Sequence, residues 1–353
     1  MITFLFYLPF LLLFVVIGVY GERKIAGFIQ NRLGPMEVGP KGLLQTIADL
    51  LKMLQKENIV PIAADKFLFQ IAPLVIFVSI FAGFAVLPLT SDVAGADLQT
   101  GVFFLLAIVS LDVIGILMAG WSSNNKFSLF GAMRSLAQII SYEIPLGLSV
   151  LCVVMIAQSL DLQEISIKQG IYSTEEIYLF GIKSWGWDVS HLGGFLTWNV
   201  MQSPVLLIAF IVFLISGLAE SNRAPFDLPE SESELIGGYH TEYSGFRWGI
   251  FMLAEYGMML LVSILGAILF LGGWNTPLPN IGTLAPASLT SGPIWEVFWL
   301  LAKSMLLIFV QMWVRWTFPR LRVDQLMTMS WKYLTPLGLL LVFICGIWRL
   351  WMV

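Results

Sequence analysis

Residues 248–271 read WGIFMLAEYGMMLLVSILGAILFL. This run of 24 residues holds one charged side chain, Glu255. A helix crossing a bilayer needs about 20 mostly apolar residues, and this stretch supplies them. Seven more runs of the same kind lie outward from it, at roughly 2–20, 68–89, 101–120, 138–158, 200–219, 294–314 and 334–352. The chain of 353 residues is 58% hydrophobic and 12% charged, against roughly 25% charged in an ordinary soluble domain. These features predict an all-α integral membrane protein with about eight transmembrane helices, forming one polytopic domain over 1–353.

The loops between the runs carry an orientation signal. Loops 21–67, 121–137, 220–247 and 315–333 hold fifteen of the 19 Lys and Arg residues. Basic residues concentrate in short cytoplasmic loops, so these loops are expected in the cytoplasm and both termini outside. The first run starts at Ile2 and its charges, Glu22, Arg23 and Lys24, come after it. That order reads as a span and not as a cleaved signal peptide.

Within the first cytoplasmic loop, Leu43, Leu44, Ile47, Leu50, Leu51 and Leu54 recur at helical spacing, while Lys41, Gln45, Asp49, Lys52 and Lys56 occupy much of the other side. This predicts an amphipathic helix in the membrane interface; a lid packed on neighbouring spans is compatible with the same pattern. The outside segment 159–199 is long, and Trp185, Trp187 and Trp198 read as interfacial anchors.

Ionisable groups inside spans cost about 2.5–3.5 kcal/mol each on insertion scales, so the acids near the cytoplasmic ends are informative. Glu22, Glu143, Glu220 and Glu255 lie there on four different runs. If Glu143, Glu220 and Glu255 converge, they form a half-buried acid cluster able to exchange protons; the alternative pairs each with a base such as Arg134, Arg223 or Arg247. Asp112, Glu296 and Lys303 are weaker candidates. Glu220, Asp227, Glu230, Glu232 and Glu234 then place five acids in fifteen residues with one arginine, Arg223, among them. The string from Gly237 to Gly245 follows directly, with His240 and Glu242 among glycines and aromatics. That mixture suits a folded site or docking surface better than a solvated tail.

Redox chemistry on this chain is excluded by its inventory. Cys152 and Cys345 both fall inside apolar runs, whereas an iron–sulfur cluster needs about four thiolates. A structural zinc site has only His191 and His240 to add. No dinucleotide fingerprint or P-loop is present. No cofactor is expected on the chain, and no nucleic-acid partner.

Several strings together carry a resemblance that covers nearly the whole chain. They are Glu22-Arg23-Lys24 through Arg32, Gly34-Pro35 and Val38-Gly39-Pro40, then Gly42-Leu43-Leu44-Gln45 with Asp49 and Lys52. Further along come Gly120 to Lys126, Gln138 with Ser141-Tyr142-Glu143, and Ala219 through Gly245. Ala254-Glu255-Tyr256, Pro319-Arg320 and Asp324-Gln325-Leu326-Met327 complete the set. In these the sequence resembles the H subunits of bacterial NADH:quinone oxidoreductase, respiratory complex I, which are related to mitochondrial NADH dehydrogenase subunit 1.

The resemblance implies a membrane-arm subunit of a proton-pumping translocase in the bacterial inner membrane. It implies a chamber for a quinone substrate, ubiquinone or menaquinone, bordered by Glu22, Arg23, Arg32, Asp49, Lys52 and Arg223. Asp227, Glu230, Glu232 and Glu234 would couple quinone reduction to protonation, and Glu143, Glu220, Glu242 and Glu255 would begin the relay. NADH, FMN and iron–sulfur clusters would sit on partner subunits, with antiporter-like subunits further along the membrane arm. Asp112 departs from the family pattern, which has a small apolar residue there, so the resemblance gives it no relay role. Segment 159–199 is longer than in many relatives. The membrane subunit of an energy-converting hydrogenase is a related alternative, against which the Tyr239-His240-Thr241-Glu242-Tyr243 string counts. A stand-alone ion transporter is a more distant one, and it would leave the acidic loops without a partner.

Overall fold

The computed structural model describes the chain apart from residues 1, 94, 97, 172, 174–175, 182–187, 191, 229–235, 281–285 and 353, and apart from the side chains of 2–6, 179 and 351–352. Helices occupy all eight predicted runs. They are α1 (Ile2–Ile29), α3 (Lys66–Gly83), α4 (Gly101–Val109) with α5 (Asp112–Ser122), α6 (Lys126–Ala157), α7 (Pro204–Glu220), α8 (Gly245–Phe270), α9 (Pro293–Thr317) and α10 (Thr335–Met352); α2 (Gln45–Gln55) is the amphipathic helix. Among the described residues, six of the helices are long and apolar enough to cross a membrane by length and composition, and α7 is a shorter apolar helix.

The quoted run is the axis of the bundle. Every residue of α8 from Tyr256 to Phe270 is buried, with α3, α9, α7 and α1 packed around it. A helix apolar on all sides is stable only where all sides are covered. Close approach is achieved through small residues, as expected where lipid offers no hydrophobic drive for association. A Cβ at Gly83 would lie 2.6 Å from Leu261, and one at Gly266 would lie 2.8 Å from Phe213.

Three departures from the expected layout matter for function. The span predicted at 101–120 is two helices, broken at Ser110-Leu111, and the break brings Asp112 into the first turn of α5. Helix α6 starts at Lys126, twelve residues before the apolar run at 138, because Asn125 caps it by accepting from the Phe127 amide at 3.0 Å. The run at 200–219 divides at Ser203, which caps α7 ahead of Pro204. Hydropathy counts apolar residues but does not register these local hydrogen bonds.

The described residues of segment 159–199 include a cap over the far end of α8. The last carbonyls of a helix lack partners within it, and here side chains supply them. Gln169 Nε2 donates to Ile268 O at 2.9 Å and Asn199 Nδ2 to Leu269 O at 2.6 Å. Lys303 Nζ donates to Leu271 O and Gly273 O at 2.7 and 2.9 Å. Trp198 belongs to this cap, with its ring 4.4 Å from Lys303 Nζ. Trp185 and Trp187 lie outside the described residues.

Candidate functional site

At the opposite end, α1, α2, α8 and α9 enclose a chamber of about 620 Å³. Apolar side chains of α1 and α8, among them Leu12, Val16, Val19 and Leu253, form most of its wall. Its polar residues include Glu22, Arg23, Arg32, Gln45, Asp49, Tyr256 and Arg315. Helix α2 is turned so that Gln45, Thr46, Asp49 and Met53 face the chamber, while Ile47, Leu51 and Leu54 are exposed on its outer side. The helix lies against α1 and α8, as a lid would, and presents an apolar outer face. Lys52 is exposed, and neither it nor Arg223 is part of the lining; Arg223 is buried and meets the chamber through Glu22 and Tyr256, which do line it.

Charge is concentrated on one wall. Glu22 is 4% exposed and receives three donors. Arg223 reaches its Oε2 at 3.2 Å, Tyr256 hydroxyl donates to the same oxygen at 2.5 Å, and Arg315 pairs with Oε1. The Arg223 guanidinium also lies 4.1 Å from the Tyr256 ring centroid. Glu255, to which Tyr239 hydroxyl donates at 3.3 Å, is a second carboxylate acting on Arg223. Pairing of this kind offsets the cost of taking these charges out of water. At the chamber's edge Arg23 pairs with Asp49 at 2.6 Å, and Arg32 Nε donates to Gln30 at 2.7 Å.

The acid-rich loop is folded inward where it is described. Residues 220–223 and 225–228 are buried. Gln138 holds this turn, its Nε2 donating to Ala219 O and Phe226 O, both at 2.7 Å, and to Asn222 Oδ1 at 3.2 Å. Asn222 takes the left-handed conformation, φ 50°, which asparagine tolerates better than most residues. Asp227 accepts from Arg320 at 2.9 Å, tying this loop to the one after α9. Glu230, Glu232 and Glu234 lie outside the described residues. Glu242 accepts from Asn125 Nδ2 at 2.6 Å at the corner where α5 meets α6. His240 Nδ1 contacts Gly237 O at 2.7 Å and its ring stacks on Tyr239. Burial holds the Tyr243 hydroxyl protonated, its pKa pushed up to about 12.

Of the three acids expected to converge, Glu143 and Glu220 lie within electrostatic reach of each other, and Glu255 acts on Arg223 instead. The charges facing Glu220 are Asp112 and Glu143, and Glu143 also faces Asp112. Asp112 and Glu220 are 4% and 7% exposed. The patch therefore joins α5, α6 and α7, while Glu255 lies outside both the patch and the chamber lining. Asp112 is the residue that sequence reasoning left aside. Its signal was there, an acid in the middle of an apolar run. Among the described residues no group of three or more His, Cys, Asp or Glu is arranged to hold a metal ion.

Fold and site together define a multi-pass membrane subunit with a largely apolar chamber, a paired-charge wall and a buried acid patch. A family model described as NADH dehydrogenase matches residues 2–346. One of the NADH-quinone oxidoreductase H subunits of Cytophaga hutchinsonii, the form numbered 2, is 58% identical over the full length of both chains. The H subunit of the Chlorobium luteolum enzyme is 54% identical, over 95% of this chain and 84% of its own. That of Bacillus cytotoxicus is 45% identical, over 95% and 89%. The chain belongs to the NADH dehydrogenase family, as an H subunit of NADH-quinone oxidoreductase, a membrane subunit of complex I.

Proposed function

We propose that the chamber receives the quinone and that the buried acids couple its reduction to proton translocation. The observation that carries this reading is the composition of the chamber. Its wall is mostly apolar, as a prenylated ring and tail require, and one side presents Glu22 held by Arg223, Arg315 and Tyr256. A charge network of that kind responds to any change in the charge of a neighbouring ligand, because its pairs are screened little in low dielectric. Arg223 connects the wall to the acidic loop and, three residues before it in the chain, to Glu220. From Glu220 the route continues to Asp112 and Glu143.

The quinone is reduced by electrons from NADH that pass through FMN and iron–sulfur clusters on partner subunits; this chain shapes the pocket and handles protons. By sequence, Glu230, Glu232 and Glu234 belong to the same acid-rich coupling loop, and Glu242 stands at the α5–α6 corner. Following the distribution of basic residues, the chamber end faces the cytoplasm, and the cap end and both termini face outward in the inner membrane. Antiporter-like subunits would continue the proton route from the acid patch.

Two variants test the two halves of the reading. Arg32→Ala is expected to raise the quinone KM of the assembled complex while leaving proton pumping per turnover intact; an unchanged KM argues against the chamber role. Glu220→Gln is expected to lower pumping in proteoliposomes with the complex still assembled, and normal pumping would remove the relay role.

A further inference from the structure

Lys303 is a buried cation that the route above leaves unused. It is 7% exposed, ten residues into α9, and has no carboxylate partner among the described residues. Its Nζ donates to three main-chain carbonyls, of Leu271 at 2.7 Å, Gly273 at 2.9 Å and Asn275 at 2.5 Å. The Trp198 ring covers it at 4.4 Å. An ammonium has three N–H donors, and all three are used. A neutral amine would turn a lone pair towards one of the carbonyls, so the cage suits the charged form. The negative end of the α8 dipole favours the same form.

The position of this charge is as informative as its partners. Asn275, whose carbonyl it binds, lines a second cavity of about 410 Å³ at the cap end, together with Asp92, Thr276 and Glu296. Glu296 is 8% exposed and accepts from the Ser91 amide at 2.8 Å and its hydroxyl at 3.1 Å. Glu296 and Lys303 lie seven residues apart on α9, about 10 Å along the axis. Passing inward from the cavity, α9 therefore presents Glu296, then Lys303, then buried Leu307 and Ile308. Gln311 follows, donating to Ser263 at 3.1 Å, and then Arg315 at the chamber.

We propose that Lys303 is an electrostatic seal. Its fixed positive charge, set beneath an acid-lined cavity, stops protons and other cations from crossing along α9 between the cap end and the chamber. A fixed cation in a low-dielectric interior repels a second one strongly. The seal rests on the proton-translocating reading of the subunit, because a leak along α9 would short-circuit any gradient the complex builds.

The test uses the whole complex in liposomes, without NADH, and follows the decay of an imposed pH gradient with a trapped pH-sensitive dye. Lys303→Gln and Lys303→Met remove the charge; Lys303→Arg keeps it. The expected result is a several-fold faster decay per assembled complex in Gln and Met, wild-type decay in Arg, and unaltered NADH:quinone turnover in detergent. A helix cap with no sealing role would lower thermal stability and leave the decay unchanged, which overturns the proposal. Failure of both neutral variants to assemble would assign Lys303 to the fold alone and overturn it equally. Failure of the coupling reading is seen separately, as normal pumping by Glu220→Gln in liposomes that hold their gradient.

Discussion

Glu22 shows how much a single buried carboxylate organises. It is the shared acceptor of Arg223, Arg315 and Tyr256, so removing its charge leaves Arg223, 5% exposed, short of a counter-ion. Breaking a buried pair in this way costs about 3–5 kcal/mol. Glu22→Gln is therefore expected to lower the thermal stability of the assembled complex and its quinone-reductase rate together, read by a melting curve and by NADH:quinone turnover. A melting curve equal to the parent would contradict the pairing. Asp112 makes the complementary case. It is not among the residues lining the chamber and lies within electrostatic reach of Glu220 and Glu143. Asp112→Asn is expected to reduce NADH-driven pumping by roughly tenfold or more, as loss of a proton-transferring group does, while leaving the quinone KM alone. Pumping at the parental rate would exclude Asp112 from the route.

At the scale of elements, the working parts are joints between helices. Gln138 on α6 binds three acceptors in the turn after α7, at about 1 kcal/mol net for each bond. Gln138→Ala is expected to cost about 2–3 kcal/mol and to loosen the coupling loop, seen as faster proteolysis between α7 and α8. Helix α8 is held by close packing, so enlarging a contact glycine is costly. Gly83→Val would drive side-chain atoms into Leu261 and Val109, with an expected loss of about 1–3 kcal/mol and a lower yield of assembled complex from membranes. Parental yield and melting temperature would show that the α3–α8 contact yields more easily than its geometry indicates.

The molecule as a whole has two differentiated ends. The chamber end gathers the paired charges and the cavity of about 620 Å³; the cap end closes the carbonyls of α8 with Gln169, Asn199 and Lys303. A ligand that binds only the folded chamber stabilises it by mass action, about 2.7 kcal/mol at a hundredfold excess over Kd. Added short-chain quinone is accordingly expected to raise the melting temperature of the complex, and to do so less in Arg32→Ala. Equal shifts in both would place the quinone elsewhere. The sequence by itself determined the spans, the amphipathic helix and the loops that matter. Apolar run length, helical spacing and charge counts are sums along the chain, and the bilayer reads them locally. It also marked Glu22, Asp49, Glu220 and Arg223 through strings whose resemblance covers nearly the whole chain. Only the tertiary structure decided which of them meet. It set Glu255 with Arg223, joined Asp112 to Glu143 and Glu220, broke the third span, and turned Asp49 inward while leaving Lys52 outside. The reason is rotational. Each helix's heading about its own axis is set by contacts such as Gly83 on Leu261 and by caps such as Asn125, and no count made along one segment contains the partner against which that segment turns.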